Sequence, residues 1–170
     1  MQDHWRESLV SNPSRTSRRA LLAGAAVAMV ANDARGQTSD DPAQLLAIME
    51  RYAAGLRWGT ADALVALYTS DGVFIRDNLP AAAGTEAVRA AYRQVFATLK
   101  LDVAFEIKET EVVGDMAWLR ATSKGRIKTL ASGVEAMEAF NDVVIFRRTP
   151  TGWKIRCYMY AASKGAGVPQ

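Results

Sequence analysis

The hydrophobic period of this chain changes once, at Lys100, and that change constrains the fold more than any other feature. Before Lys100 the apolar residues recur at helical spacing; after it they alternate. Leu101, Val103, Phe105 and Ile107 alternate with Asp102, Ala104, Glu106 and Lys108, the pattern of a half-buried strand. Turn chemistry at Gly114-Asp115, 130–133 and 149–152 then separates three further strands, expected over 116–128, 135–148 and 153–162. Helices first and a meander of long strands afterwards is an α+β pattern. The expected architecture is three N-terminal helices packed on a strongly curved antiparallel sheet. The curvature leaves a cone whose open end is a pocket.

The helical half is punctuated by capping chemistry. Asp41-Pro42-Ala43-Gln44 reads as a helix start, with Asp41 as cap. Leu45, Ile48, Met49, Tyr52, Ala53 and Leu56 form one apolar face, and Gly59 ends the helix. Thr60 is expected to cap a second helix with Leu64, Val65, Leu67 and Tyr68 inside. Ser70-Asp71-Gly72 reads as a turn into a short strand ending at Asp77, followed by a loop through Gly84. Thr85 is expected to cap a third helix whose apolar face is Val88, Tyr92, Val95, Phe96 and Leu99.

Several segments carry a resemblance in order. They are Glu50-Arg51-Tyr52-Ala53-Ala54-Gly55-Leu56, Gly59-Thr60-Ala61-Asp62, Ala66-Leu67-Tyr68, Asp71-Gly72-Val73-Phe74 and Gly84-Thr85-Glu86-Ala87-Val88-Arg89. With the strand-rich remainder, 41–163 resembles the SnoaL-like and ketosteroid-isomerase-like families of the nuclear transport factor 2 superfamily. That superfamily hosts enzymes and non-enzymes on one scaffold, so the resemblance implies the fold more firmly than an activity.

The first 36 residues read differently. Ser17-Arg18-Arg19-Ala20-Leu21-Leu22 is similar to a twin-arginine export signal, with Leu21 where phenylalanine is common and Ala23 where lysine is common. The apolar run 20–31 is too short to span a bilayer, and Ala34-Arg35-Gly36 suits cleavage before Gln37. The expected divisions are therefore a signal peptide (1–36), one domain (37–163) and a mobile tail (164–170), with the mature protein periplasmic or secreted. Cleavage would leave 16 Lys and Arg against 15 Asp and Glu, so nothing argues for nucleic acid, and no membrane association is expected afterwards. It would also remove His4, the only histidine, and with it any His base or His-activated nucleophile and nearly all zinc sites. No metal and no organic cofactor is implied. The single Cys157 reads as a small buried hydrophobe.

The resemblance places candidate chemistry residue by residue. The family's isomerases use a helix tyrosine, a late-strand acid and a carboxylate base; Tyr52 and Asp142 fall at the first two positions. The base position falls on Arg76, with Asp77 one residue on and so on the opposite face. Either a bulge re-aims Asp77 inward as the base, or the base is lacking and Arg76 suits an anionic group, alone or paired with Asp142. Alternation puts Phe140, Asp142, Val144 and Phe146 on one face, and Cys157, Met159 and Ala161 inward from the last strand. An acid on such a face is expected to be neutral and to donate a hydrogen bond. Substrate contacts are expected from Arg76, Phe140, Val144, Phe146 and Met159. The outer sheet face, expected to carry Val143, Ile145, Tyr158 and Tyr160, suits a homodimer. The expected function is binding of a small apolar molecule bearing a carbonyl or carboxylate. Cofactor-free acid–base chemistry of the isomerase or lyase type on that molecule goes with it; a non-catalytic ligand-binding or dimerisation module is the alternative.

Overall fold

The computed structural model describes residues 40–163; the twin-arginine segment, its cleavage site and the C-terminal tail lie outside them. The order is α1 (Asp41–Trp58), α2 (Ala61–Val65), β1 (Tyr68–Ile75), β2 (Ala82–Ala83), α3 (Thr85–Thr98), β3 (Leu99–Val113), β4 (Met116–Thr129), β5 (Glu135–Thr149) and β6 (Gly152–Ala162). The α+β class and the four-strand meander match the change of period. Two parts of the expected architecture are corrected. α2 is only five residues long, so Leu67 and Tyr68 fall outside it, while α3 follows the first strands as the order of turns predicts. The six strands run in the order β2-β1-β6-β5-β4-β3, and β1 pairs with β6 in parallel, so the sheet is mixed. The reason is connectivity. α3 carries the chain from β1 to the far edge, and the meander then returns strand by strand until β6 lies beside β1.

Helix α1 ends at Gly59, whose left-handed φ of 67° lets it turn the chain, and its amide bonds back to the last turn. Asp41 is not the cap. It is the first helical residue, almost fully buried, and its carboxylate takes two bonds from the Arg148 guanidinium at 3.0 and 2.5 Å and one from the Trp153 indole at 3.0 Å. Arg148 also stacks over the Trp153 ring at 4.3 Å. This cluster pins the start of α1 to the far end of the sheet. Leu45, Ile48, Met49 and Tyr52 then face inward, as the helical spacing predicts.

Three register shifts bend the sheet around the helices. One lies at Lys108 in β3, one at Arg156 in β6, and one between Tyr68 and Val73 in β1. The Ser70-Asp71-Gly72 turn signal thus becomes a bulge inside β1, which begins already at Tyr68. Asp71 of that bulge pairs with Arg156 of the β6 bulge at 3.2 Å. At Gly125 the strands approach so closely that a Cβ would meet the Asp102 carbonyl oxygen at 2.0 Å, so no side chain fits.

The β6 bulge has the largest consequence. Phe146 pairs with Ile155 but Ile145 pairs with Cys157, so Arg156 is the extra residue. Beyond it the alternation reverses. Tyr158 is buried and Tyr160 half-buried on the inner face, while Met159 is 42% exposed. The expected inward row of Cys157, Met159 and Ala161 therefore points outward, and the expected outward tyrosines point in. Val143 and Ile145 do lie on the outer face, half-buried.

Candidate functional site

All five tyrosines of the chain gather between the helices and the inner face of the sheet. Tyr52 comes from α1, Tyr68 from β1, Tyr92 from α3, and Tyr158 and Tyr160 from β6 beyond its bulge. Their rings pack edge-on or stacked with Phe74 and Phe105 between them. Tyr52 meets Tyr158 at 4.8 Å between centroids, and Phe74 stacks on Tyr92 at 4.5 Å.

Four of the hydroxyls fall into two hydrogen-bonded sets. In the first, the Tyr92 hydroxyl lies 2.6 Å from that of Tyr52 and 2.7 Å from that of Tyr68. Three hydroxyls carry three protons and use two among themselves. When the chain is polarised from Tyr68 through Tyr92, the remaining proton belongs to Tyr52 and is available as a donor. In the second set, Tyr158 donates to Oδ1 of Asp142 at 2.6 Å. Asp142 is fully buried, and its Oδ2 has no hydrogen-bond partner among the described residues.

Burial governs the electrostatics. It raises the Tyr52, Tyr68, Tyr92 and Tyr158 hydroxyls well above the ordinary tyrosine range, so all four are protonated at neutral pH. Burial also raises the Asp142 carboxyl, opposed by the bond from Tyr158 and by Ser123 on the next strand. The site is therefore rich in donors and poor in fixed charge.

Beside these groups lies a cavity of about 360 Å³. Tyr52, Tyr92, Tyr158 and Tyr160 line it, with Phe74, Phe105, Phe140, Leu56, Val95, Leu99, Leu101, Val103 and Ile127 supplying apolar wall. Ser123, Thr129 and Glu138 add polar groups. The volume lies within the range that encloses a small organic molecule.

The residues expected from sequence are distributed unevenly around this cavity. Tyr52 and Phe140 line it. Asp142 is not on the wall; Tyr158, which bonds it, and Ser123 beside it are. Val144 and Phe146 are fully buried core residues rather than lining, because they sit deeper on the inner face of β5 under the helices. Met159 is on the outer face for the reason given above. Arg76 and Asp77 are outside the lining set. Arg76 donates from Nη1 to the Gln94 side chain at 3.2 Å and lies over the Phe74 ring at 5.9 Å; its Nε is buried without a partner. Among the described residues Arg76 forms no ion pair with Asp142. Asp77 accepts the Ala162 amide at 3.3 Å, which ties the end of β1 to the end of β6. Glu138, exposed at the end of β5, also lines the cavity. Tyr68, Tyr92, Tyr158 and Tyr160 were legible only as apolar positions. Helical or alternating spacing marks a tyrosine as inward or outward but not which other hydroxyl it meets.

Fold and cavity together define a class: an α+β cone of the nuclear transport factor 2-like fold, enclosing a hollow of small-molecule size. The chain belongs to the SnoaL-like domain family, which it matches over residues 45–161. Among solved structures it is similar to a ketosteroid isomerase-like protein from Erwinia carotovora atroseptica, with 28% identity and a TM-score of 0.71 over 75% of this chain and 100% of the other. It is also similar to an NTF2-like protein with a cystatin-like fold from Novosphingobium aromaticivorans, with 25% identity and a TM-score of 0.59 over 75% and 85% of the two chains. An NTF2-like protein of unknown function from Pseudomonas putida shares the fold at 17% identity, with a TM-score of 0.61 over 78% of this chain and 93% of the other. No curated protein matches the chain in sequence.

Proposed function

We propose that this chain is an exported SnoaL-like domain that binds a small apolar molecule carrying an oxygen acceptor, such as a ketone. The observation that carries the reading is the 360 Å³ aromatic cavity with neutral hydroxyl donors on its wall. Apolar wall supplies affinity by removing ligand surface from water, and the few donors orient the acceptor. The likeness to a ketosteroid isomerase-like protein supports a ligand of this kind. Calorimetry with acetophenone tests it. Binding by the wild type and its loss in Val95→Trp, which fills the cavity from its half-buried wall, is the expected result. Equal binding by both would remove the cavity as the site.

A second reading, cofactor-free acid–base catalysis of the isomerase or lyase type, is favoured by one observation: an acidic residue, Glu138, is among those lining the cavity. Tyr52 would stabilise a developing oxyanion, and Glu138, rather than the Asp77 engaged by Ala162, would move the proton. Export predicts that the periplasmic or secreted protein begins at or near Gln37, checked by N-terminal sequencing. A homodimer through the outer sheet face would now bury Val143, Ile145, Cys157 and Met159.

A further inference from the structure

Four arginines among the described residues are half-buried, and three of them hold a carboxylate. Arg89 holds Asp62 at 2.6 Å, Arg148 holds Asp41 at 2.5 Å and Arg156 holds Asp71 at 3.2 Å. Arg76 is the fourth. Among the described residues it makes no ion pair; its hydrogen bond runs from Nη1 to the Gln94 side chain, and its Nε is buried without a partner. Water has been removed from part of this charge and no opposite charge has replaced it.

The register of β1 on β6 fixes where Arg76 lies. Phe74 pairs with Tyr158 and Ile75 with Met159, so the next residue runs beside Tyr160. Arg76 comes two residues after Phe74 and lies over its ring at 5.9 Å, on the inner face of the sheet. Phe74 and Tyr160 both line the cavity. The Arg76 charge reaches Tyr160, where it opposes the rise that burial gives the hydroxyl. Gln94 holds Arg76 from α3, one residue before Val95 of the cavity wall. The guanidinium therefore sits at the rim, beside the edge that Phe74 and Tyr160 form.

The neighbours leave this charge available. Asp77 is the adjacent acid in sequence, but its Oδ2 accepts the Ala162 amide. Glu138, the acid of the cavity wall, comes from β5, which β6 separates from β1. Gln94 is exposed and gives its carbonyl oxygen to Arg76, which leaves its amide nitrogen as a second donor.

We propose that Arg76 and Gln94 form a carboxylate subsite at the cavity rim, and that the ligand is an apolar monocarboxylate whose body fills the cavity and whose anionic end passes Phe74 and Tyr160. The proposal rests on the ligand-binding reading above and adds to it a charge that the cavity alone does not require. A guanidinium presents a carboxylate with a planar set of donors, and hydrogen bonds between charged partners are roughly twice as strong as neutral ones. Gln94 and the Phe74 ring hold the guanidinium in place before the ligand arrives, which limits the side-chain freedom lost on binding.

The test compares 4-oxo-4-phenylbutyrate with its methyl ester by calorimetry. Both carry the aryl ketone of acetophenone, and only the acid is charged. The wild type is expected to bind the acid about tenfold more tightly than the ester, and the preference should shrink as sodium chloride is raised. In Arg76→Met, which keeps an apolar stem over Phe74, the acid-to-ester ratio is expected to fall to about one. Binding of the ester as tightly as the acid by the wild type overturns the carboxylate subsite and leaves the cavity reading standing. A preference for the acid that survives in Arg76→Met does the same. Failure of the acid, the ester and acetophenone to bind overturns both.

Discussion

Replacing Tyr92 by Phe tests whether the tyrosine hydroxyls form a chain with a middle and two ends. The ring is kept, so no cavity is opened and packing against Phe74 and Phe96 survives. What is lost is one oxygen that contacts two others at 2.6 and 2.7 Å. Tyr52 lines the cavity and can be rehydrated there, so its share is about 1 kcal/mol. Tyr68 is buried outside the cavity lining, and its stranded hydroxyl costs about 2 kcal/mol. The expected destabilisation is about 3 kcal/mol. Tyr52→Phe and Tyr68→Phe each remove one end and one bond, and leave Tyr92 a partner; each is expected to cost about 1 kcal/mol. Urea unfolding followed by far-ultraviolet circular dichroism measures all three. The midpoints should shift with unchanged slopes, Tyr92→Phe by about three times as much as either end. Equal shifts for the three variants, or a smaller one for Tyr92→Phe, would refute the chain and reduce the cluster to ring packing.

Two further expectations concern buried carboxylates. Asp41→Ala leaves the Arg148 guanidinium and the Trp153 indole without their shared acceptor, and should cost about 3 kcal/mol by the same urea assay, because a buried ion pair is broken rather than replaced. A loss under about 1 kcal/mol would show that the start of α1 is held by apolar packing alone. Asp142 gives the fold a pH dependence. Its carboxyl is raised in the folded state, so the folded protein holds the proton more tightly than the unfolded chain. Its contribution is fully present below the unfolded carboxylate range of about 4, and is lost as pH rises through the folded midpoint. The stability difference between wild type and Asp142→Asn should therefore shift against the wild type over that window. A difference independent of pH would show that Asp142 ionises normally.

The sequence by itself determined what depends on local periodicity. The change at Lys100 separates helix from strand, and the four long strands and their turns lie where alternation and turn chemistry put them. The inward face of α1, Tyr52 included, follows from spacing of three and four. Tertiary structure decided the rest, because the deciding interactions join residues far apart in the chain. Asp41 looks like a helix cap to its neighbours, but its partner Arg148 is 107 residues away. The parallel pairing of β1 with β6 depends on where the meander begins and ends. The site itself turns on one inserted residue. Arg156 carries no hydrophobic signal that marks it as a bulge, yet it reverses the faces of every residue after it on β6. That reversal brings Tyr158 onto Asp142 and into the cavity, and sends Met159 to the surface.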